Sequence, residues 1–237
     1  VVRISSKRLR ALAADVDAQH QRLAGLRRQR VAEARAADLR TRRRFLGEIG
    51  VGTAAVAAGT SLLPALRVLP AGAQEDEEIS DEELAAFAAS AELVAVEIYG
   101  LAVEADVLSG SSLSLAGRFS DHHQEYADAL GDAAGVTPAV NSNLEEGLYA
   151  QPIENAVDEL SWLNVLLLVE ENLAATYTSL LGEVGPEMAA LFATILPVEG
   201  QQAAVIGHAT GDLEPNEYLP ALQTQTGALD PASYPAE

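Results

Sequence analysis

A glutamate followed seven residues later by a tyrosine occurs twice in this chain, as Glu92 with Tyr99 and as Glu170 with Tyr177. Seven residues is close to two turns of α-helix, so each Glu and its Tyr share one face. The rest of each face is apolar, in AELVAVEIYGLA and in VEENLAATYTSLL. Two long helices that each turn a carboxylate and a phenol inward call for an all-α bundle with a polar centre. Bundles place metal ions in such centres, between side chains of facing helices.

Charge divides the chain in two. The formal net charge is −20, yet residues 1–73 hold 14 of the 15 Lys and Arg and 5 of the 35 Asp and Glu. That leader carries +9, and residues 74–237, with Arg118 as their single Lys or Arg, carry −29. The body is therefore not expected to bind nucleic acid or an anionic membrane surface, because phosphate contact needs Lys or Arg. Acidity of this degree suits a high-salt medium, where screening weakens self-repulsion. There is no cysteine, which excludes disulfides, thiolate metal sites, iron–sulfur clusters and Cys nucleophiles.

Within the leader, Thr41-Arg42-Arg43-Arg44-Phe45-Leu46 matches the twin-arginine export pattern, carried by Arg42, Arg43, Phe45 and Leu46. An uncharged stretch rich in Ala, Gly and Val follows from Ile49 to about Leu66. Ala71-x-Ala73 then makes a small-residue cleavage site before Gln74. The chain is expected to be exported to the periplasm or the extracellular side of the envelope by the twin-arginine machinery. Membrane contact would then be transient. An uncleaved segment would instead anchor the protein, although its glycines and Pro64 make a weak span. Residues 1–40 form a basic N-terminal extension with Leu9, Leu12, Val16, Leu23, Leu26 and Val31 at loosely helical spacing. A start codon placed too far upstream would account for this extension equally well, and His20 within it receives no role.

Four helices are expected in the body, residues 74–210. The first opens at a capping box, Ser80-Asp81-Glu82-Glu83, and runs to about Leu108. The second, from about Leu113 to Ala134, puts Phe119, His123, Tyr126, Ala127 and Leu130 on one face, with His122 beside it and turned to solvent. Pro138–Pro152 reads as a long connection with a short turn at Leu144–Tyr149, long enough to cross the length of a bundle. The third helix runs from near Ile153 to about Leu181. The fourth runs from about Glu187 to Gly207, with a kink at Pro197. Residues 211–237 form a proline-containing tail.

Between Leu84 and Gly207 the chain resembles the ferritin-like superfamily, and within it the exported ferritin-like-domain proteins. The resemblance rests on Glu92 with Tyr99, Glu170 with Tyr177, His122-His123-Gln124-Glu125-Tyr126, and Leu196-Pro197-Val198-Glu199-Gly200-Gln201-Gln202. It implies a ferritin-like four-helix bundle with a long crossover between the second and third helices. In that family the first and third helices each give a glutamate, and the second and fourth each give Glu-x-x-His to a di-iron site. Here His123 stands at a Glu position, and Tyr126 and Gln202 stand at the two His positions. The resemblance therefore implies a reduced centre of Glu92, His123, Glu170 and Glu199, suited to one divalent ion, iron or manganese. Tyr99, Tyr126, Tyr177 and Gln202 would be outer or weak ligands, with Tyr99 and Tyr177 donating to carboxylates.

Two functions fit this reading. One is an exported metal-binding bundle, with sequestration or a weak oxidase or peroxidase activity. The other is a metal-free descendant serving as a structural or interaction module of the envelope, its glutamates protonated or sharing protons. A metal and no metal are equally compatible with the residues. Enzymatic activity stays open, and so does a homodimer. No phosphate-cradling glycine loop, His-Glu-x-x-His or nucleophile elbow is present.

Overall fold

The computed structural model describes residues 5–57, 79–211 and 227–236, with 38, 39 and 41–57 described by their backbone alone. Cleavage residues Ala71 and Ala73 lie outside the described residues, as do the side chains of Arg42, Arg43, Phe45 and Leu46. Among the described residues every regular element is helical.

Helix α1 spans Ser6–Ala57 without a break, so one helix covers the basic extension and runs on through the export motif. Helix α2, Asp81–Glu104, opens as the capping box predicts: Ser80 Oγ accepts the Glu83 N–H at 3.2 Å, and the Glu83 carboxylate accepts the Ser80 N–H at 2.9 Å. Helix α3, Gly110–Ala134, ends at Gly135, whose φ of 72° lies in the left-handed region that glycine enters without strain. The connection that follows is helical rather than loop-like. It comprises α4 (Ser142–Leu144), a π-helical turn (Glu145–Tyr149) and α5 (Ala150–Glu154).

Helix α6, Glu159–Leu180, starts later than Ile153 because Asp158 caps it, accepting the Ser161 N–H at 2.9 Å while Ser161 Oγ accepts the Asp158 N–H at 3.0 Å. The fourth bundle helix is two pieces, α7 (Pro186–Phe192) and α8 (Leu196–Thr210). The break falls at residues 193–195, where the Pro197 ring would otherwise meet the Ala193 carbonyl one turn back.

Helix α2 packs along α3, α6 along α8, and α2 against α6. Phe87, Ile98, Phe119, Leu130, Leu166 and Ile206 are fully buried between them, and Phe192 of α7 joins the same core. Each such side chain contributes roughly 1.5–3 kcal/mol by leaving water. By length and composition, α2 and the stretch Pro186–Thr210 would also suit a membrane span, but 61% of each apolar window is buried in this core.

Helix α1 lies against α3, α7 and α8 as a fifth helix. It buries Leu9, Ala13, Val16, Ala24 and Ala34, and with them His20 (0% exposed) and Arg27 (3%). His20, which the sequence reading gave no role, is thus part of the buried face of α1. The end of the tail is tied to the bundle: Asn141 donates to the Tyr234 carbonyl at 3.0 Å, and Leu229 N–H donates to Thr176 Oγ1 at 2.8 Å.

Candidate metal centre

Glu92 on α2, His123 on α3, Glu170 on α6 and Glu199 on α8 are all fully buried. The four sequence-derived ligand candidates therefore come from four different helices and meet in the core. His123 is their hub. Its Nδ1 lies 2.7 Å from Glu92 Oε2 and 3.9 Å from Glu199 Oε1, and its Nε2 lies 3.1 Å from Glu170 Oε1.

The two Glu/Tyr pairs cross between helices. Tyr99 of α2 donates to Glu170 of α6, and Tyr177 of α6 donates to Glu92 of α2. The seven-residue spacing aims each phenol two turns from its own glutamate, level with the glutamate of the facing helix. Burial first, and then the carboxylates, push both phenols well above their ordinary range, so they remain donors.

Both ring nitrogens of His123 face carboxylates, which only accept. The metal-free arrangement therefore suits a doubly protonated ring. Burial alone depresses the imidazole, but the charges of Glu170 and Glu199 and the hydrogen bonds to Glu170 and Glu92 outweigh it and raise His123 well above the ordinary His range. Glu199 is also raised well above the carboxylate range, by burial first and then by Glu92 and Glu170, with His123 opposing. With every carboxylate ionised, neither Glu199 oxygen has a donor, nor has Glu170 Oε2. A proton on Glu199 shared with Glu170 resolves that conflict. Without a metal, the centre thus holds its three carboxylates together with protons on His123 and Glu199.

The same atoms fit a cation. Glu92, His123 and Glu199 present ligand atoms that all lie within 4.8 Å of one another. Carboxylate oxygens with one imidazole nitrogen suit a divalent ion of the iron or manganese type. The unsatisfied oxygens of Glu199 are the donors such an ion would use. Glu170 stands on the opposite edge of the imidazole, where an Nε2–H···carboxylate contact orients a metal-binding histidine. The structure therefore separates the four residues into a converging trio and one carboxylate behind the ring.

Tyr126 and Gln202, one helical turn beyond His123 and Glu199, are fully buried as well. Neither polar end of the Gln202 amide has a hydrogen-bond partner. The Tyr126 ring stands edge-on to His123, with centroids 6.2 Å apart. His122 does not face solvent as its sequence position suggests. It is 3% exposed, stacked on His20 at 3.8 Å, with Nε2 3.2 Å from Asp17 Oδ1. Burial first, and then His20, lower it to about 3, so it is neutral.

Sequence reasoning missed the α1 side of the site. Leu9, Ala13, Val16, His20, Ala24, Arg27, Val31 and Ala34 follow one another at steps of three and four, a continuous helical stripe. That spacing runs straight through His20 and Arg27, and it was the available signal. The stripe drawn from large apolar residues alone included Leu26, which is 38% exposed.

Residues 80–212, more than half of the chain, match the family model of the ferritin-like domain. No curated protein and no solved structure gives a significant match. Helical order, inward Glu/Tyr pairs and family match agree, and the chain belongs to the ferritin-like domain family.

Proposed function

We propose that this is an exported ferritin-like protein that binds one divalent ion, iron or manganese, at Glu92, His123 Nδ1 and Glu199, with Glu170 orienting the imidazole from behind. The observation that carries the reading is the buried trio with ligand atoms within 4.8 Å, together with a Glu199 carboxylate that no protein donor satisfies. A bound iron or manganese ion would supply redox chemistry toward oxygen or peroxide, or the protein would simply hold the ion. The residues' own part is to bring three donors from three helices into one buried cluster and to surrender protons. His123 would give up its Nδ1 proton and Glu199 its carboxyl proton on taking an ion, so binding would release protons. Adding Mn(II) to the full-length chain in weak buffer at pH 6.5 tests this: the solution acidifies as metal is taken up. Uptake without proton release would place the metal elsewhere.

Export rests on Arg42, Arg43, Phe45 and Leu46 and on Ala71-x-Ala73. N-terminal sequencing of protein recovered from outside the cytoplasm checks it. A mature end at Gln74 supports a cleaved signal, and protein confined to the cytoplasm refutes export.

A second reading has its own support. His123 bridges Glu92 and Glu170 while Tyr177 and Tyr99 donate to the same two carboxylates, a network that needs no ion at those residues. Under it the protein is a metal-free envelope module. Retention of the fold with no uptake of iron or manganese would exclude the metal reading and leave this one.

A further inference from the structure

We infer that in the uncleaved chain α1, which a cut before Gln74 would remove, is a working wall of the centre, and that His20 is there a positioning residue that acts on His123 through Tyr126. The inference rests on the metal-site reading for its consequence but not for its geometry. His20 is fully buried, with Nδ1 3.0 Å from the Tyr126 hydroxyl and Nε2 2.9 Å from Glu125 Oε2. A carboxylate only accepts, so Nε2 carries the hydrogen, and in the neutral ring Nδ1 accepts from Tyr126. This single tautomer satisfies both contacts and fixes where the phenol points.

Arg27, two turns along α1, places its guanidinium 4.3 Å above the Tyr126 ring. Its Nη1 lies 3.8 Å from the same Glu125 carboxylate. Tyr126 is thus held at its hydroxyl by His20 and on its face by Arg27, both buried and both from α1. Its ring in turn stands edge-on to His123, one turn away on α3. A contact path therefore runs from α1 through one phenol to the imidazole that is hub of the centre. Groups hydrogen-bonded to a metal ligand set its orientation, and losing one weakens metal binding by ~10–100-fold; His20 stands one contact further out, so the low end of that range is expected.

The two nitrogens of His20 can be separated by substitution. An asparagine amide reaches close to where Nδ1 lies and keeps the Tyr126 contact, whereas a glutamine amide reaches close to Nε2 and keeps only Glu125. Full-length wild type, His20→Asn and His20→Gln are compared in two ways. One is the ¹⁵N ring resonances of His123 in the metal-free protein. The other is the affinity and ligand-field spectrum with Co(II) as probe ion. Expected are shifted His123 resonances and ~10-fold weaker cobalt binding with an altered spectrum in His20→Gln, with His20→Asn close to wild type. If both variants match wild type, or both depart from it equally, His20 only packs and the inference is overturned. If wild type takes no cobalt at the centre, the metal reading fails. The imidazole resonances then decide this inference alone: movement in His20→Gln but not in His20→Asn upholds it.

Discussion

His122 and His123 are neighbours in sequence, both buried on α3, and hold protons in opposite ways. His123 faces Glu92, Glu170 and Glu199 and is raised well above the ordinary range despite its burial. His122 faces His20 across the α1 seam, with one carboxylate at its edge and Nδ1 unpartnered, and is lowered to about 3. One residue of helical rotation thus separates a charged hub from a neutral stacking ring. Burial penalises both imidazolium forms, and the neighbours decide the outcome. A buried histidine becomes a cation only where enough carboxylate surrounds it.

The comparison breaks first at the hub. His123→Ala leaves Glu92 and Glu170 buried without their bridging cation and should cost the metal-free chain about 3–5 kcal/mol in urea unfolding at pH 7. A loss no larger than that of His122→Ala would mean that His123 carries no special charge role.

The pH profile comes next, and its two limbs have opposite signs. Glu199 and His123 bind protons more tightly when folded. Their contribution is therefore complete below their unfolded values, about 4.5 for Glu199, and declines as pH rises toward their folded values. His20 and His122 bind protons less tightly when folded, so the seam loses stability as pH falls below about 6.5. Melting temperature without metal should peak between these limbs. Mn(II) should lift the alkaline limb and leave the acid limb alone, because binding competes with protons only at the centre. An equal lift at both ends would contradict the separation.

The seam can then be isolated. His122→Phe keeps a ring against His20 but cannot titrate, and should shrink the stability difference between pH 7 and pH 5 by about 1–2 kcal/mol. An unchanged difference would remove His122 from the acid limb. The smallest effect belongs to Ser80→Ala at the α2 cap, remote from both regions. It should cost about 1 kcal/mol, independent of metal.

Much of this was legible in the sequence because it is local. The capping box at Ser80 and the inward Glu/Tyr pairs follow from spacing within one helix, and the structure has both; the kink expected at Pro197 is instead a full break into α7 and α8. The crossing of those pairs between α2 and α6 needed only the fact that the two helices face each other. What spacing could not supply was the partner of a polar face. His20 and Arg27 read as part of a solvated basic leader, and only the packing of α1 on α3 turns them into the lining of a tyrosine. His122 was read as exposed for the same reason, because its cover comes from 102 positions away in the chain. The resemblance implied Glu170 as a ligand, but its place behind the imidazole depends on how the ring is turned.

The central claim is that Glu199 belongs to a metal site. Glu199→Gln keeps the side chain's size and removes only its capacity to ionise, so the metal-free fold should persist. Elemental analysis of full-length wild type and Glu199→Gln, each loaded with Fe(II) or Mn(II) and dialysed, puts the claim to the test. The account predicts about one ion per wild-type chain and nearly none in the variant. Equal metal in both proteins, or none in a cooperatively folding wild type, would contradict it.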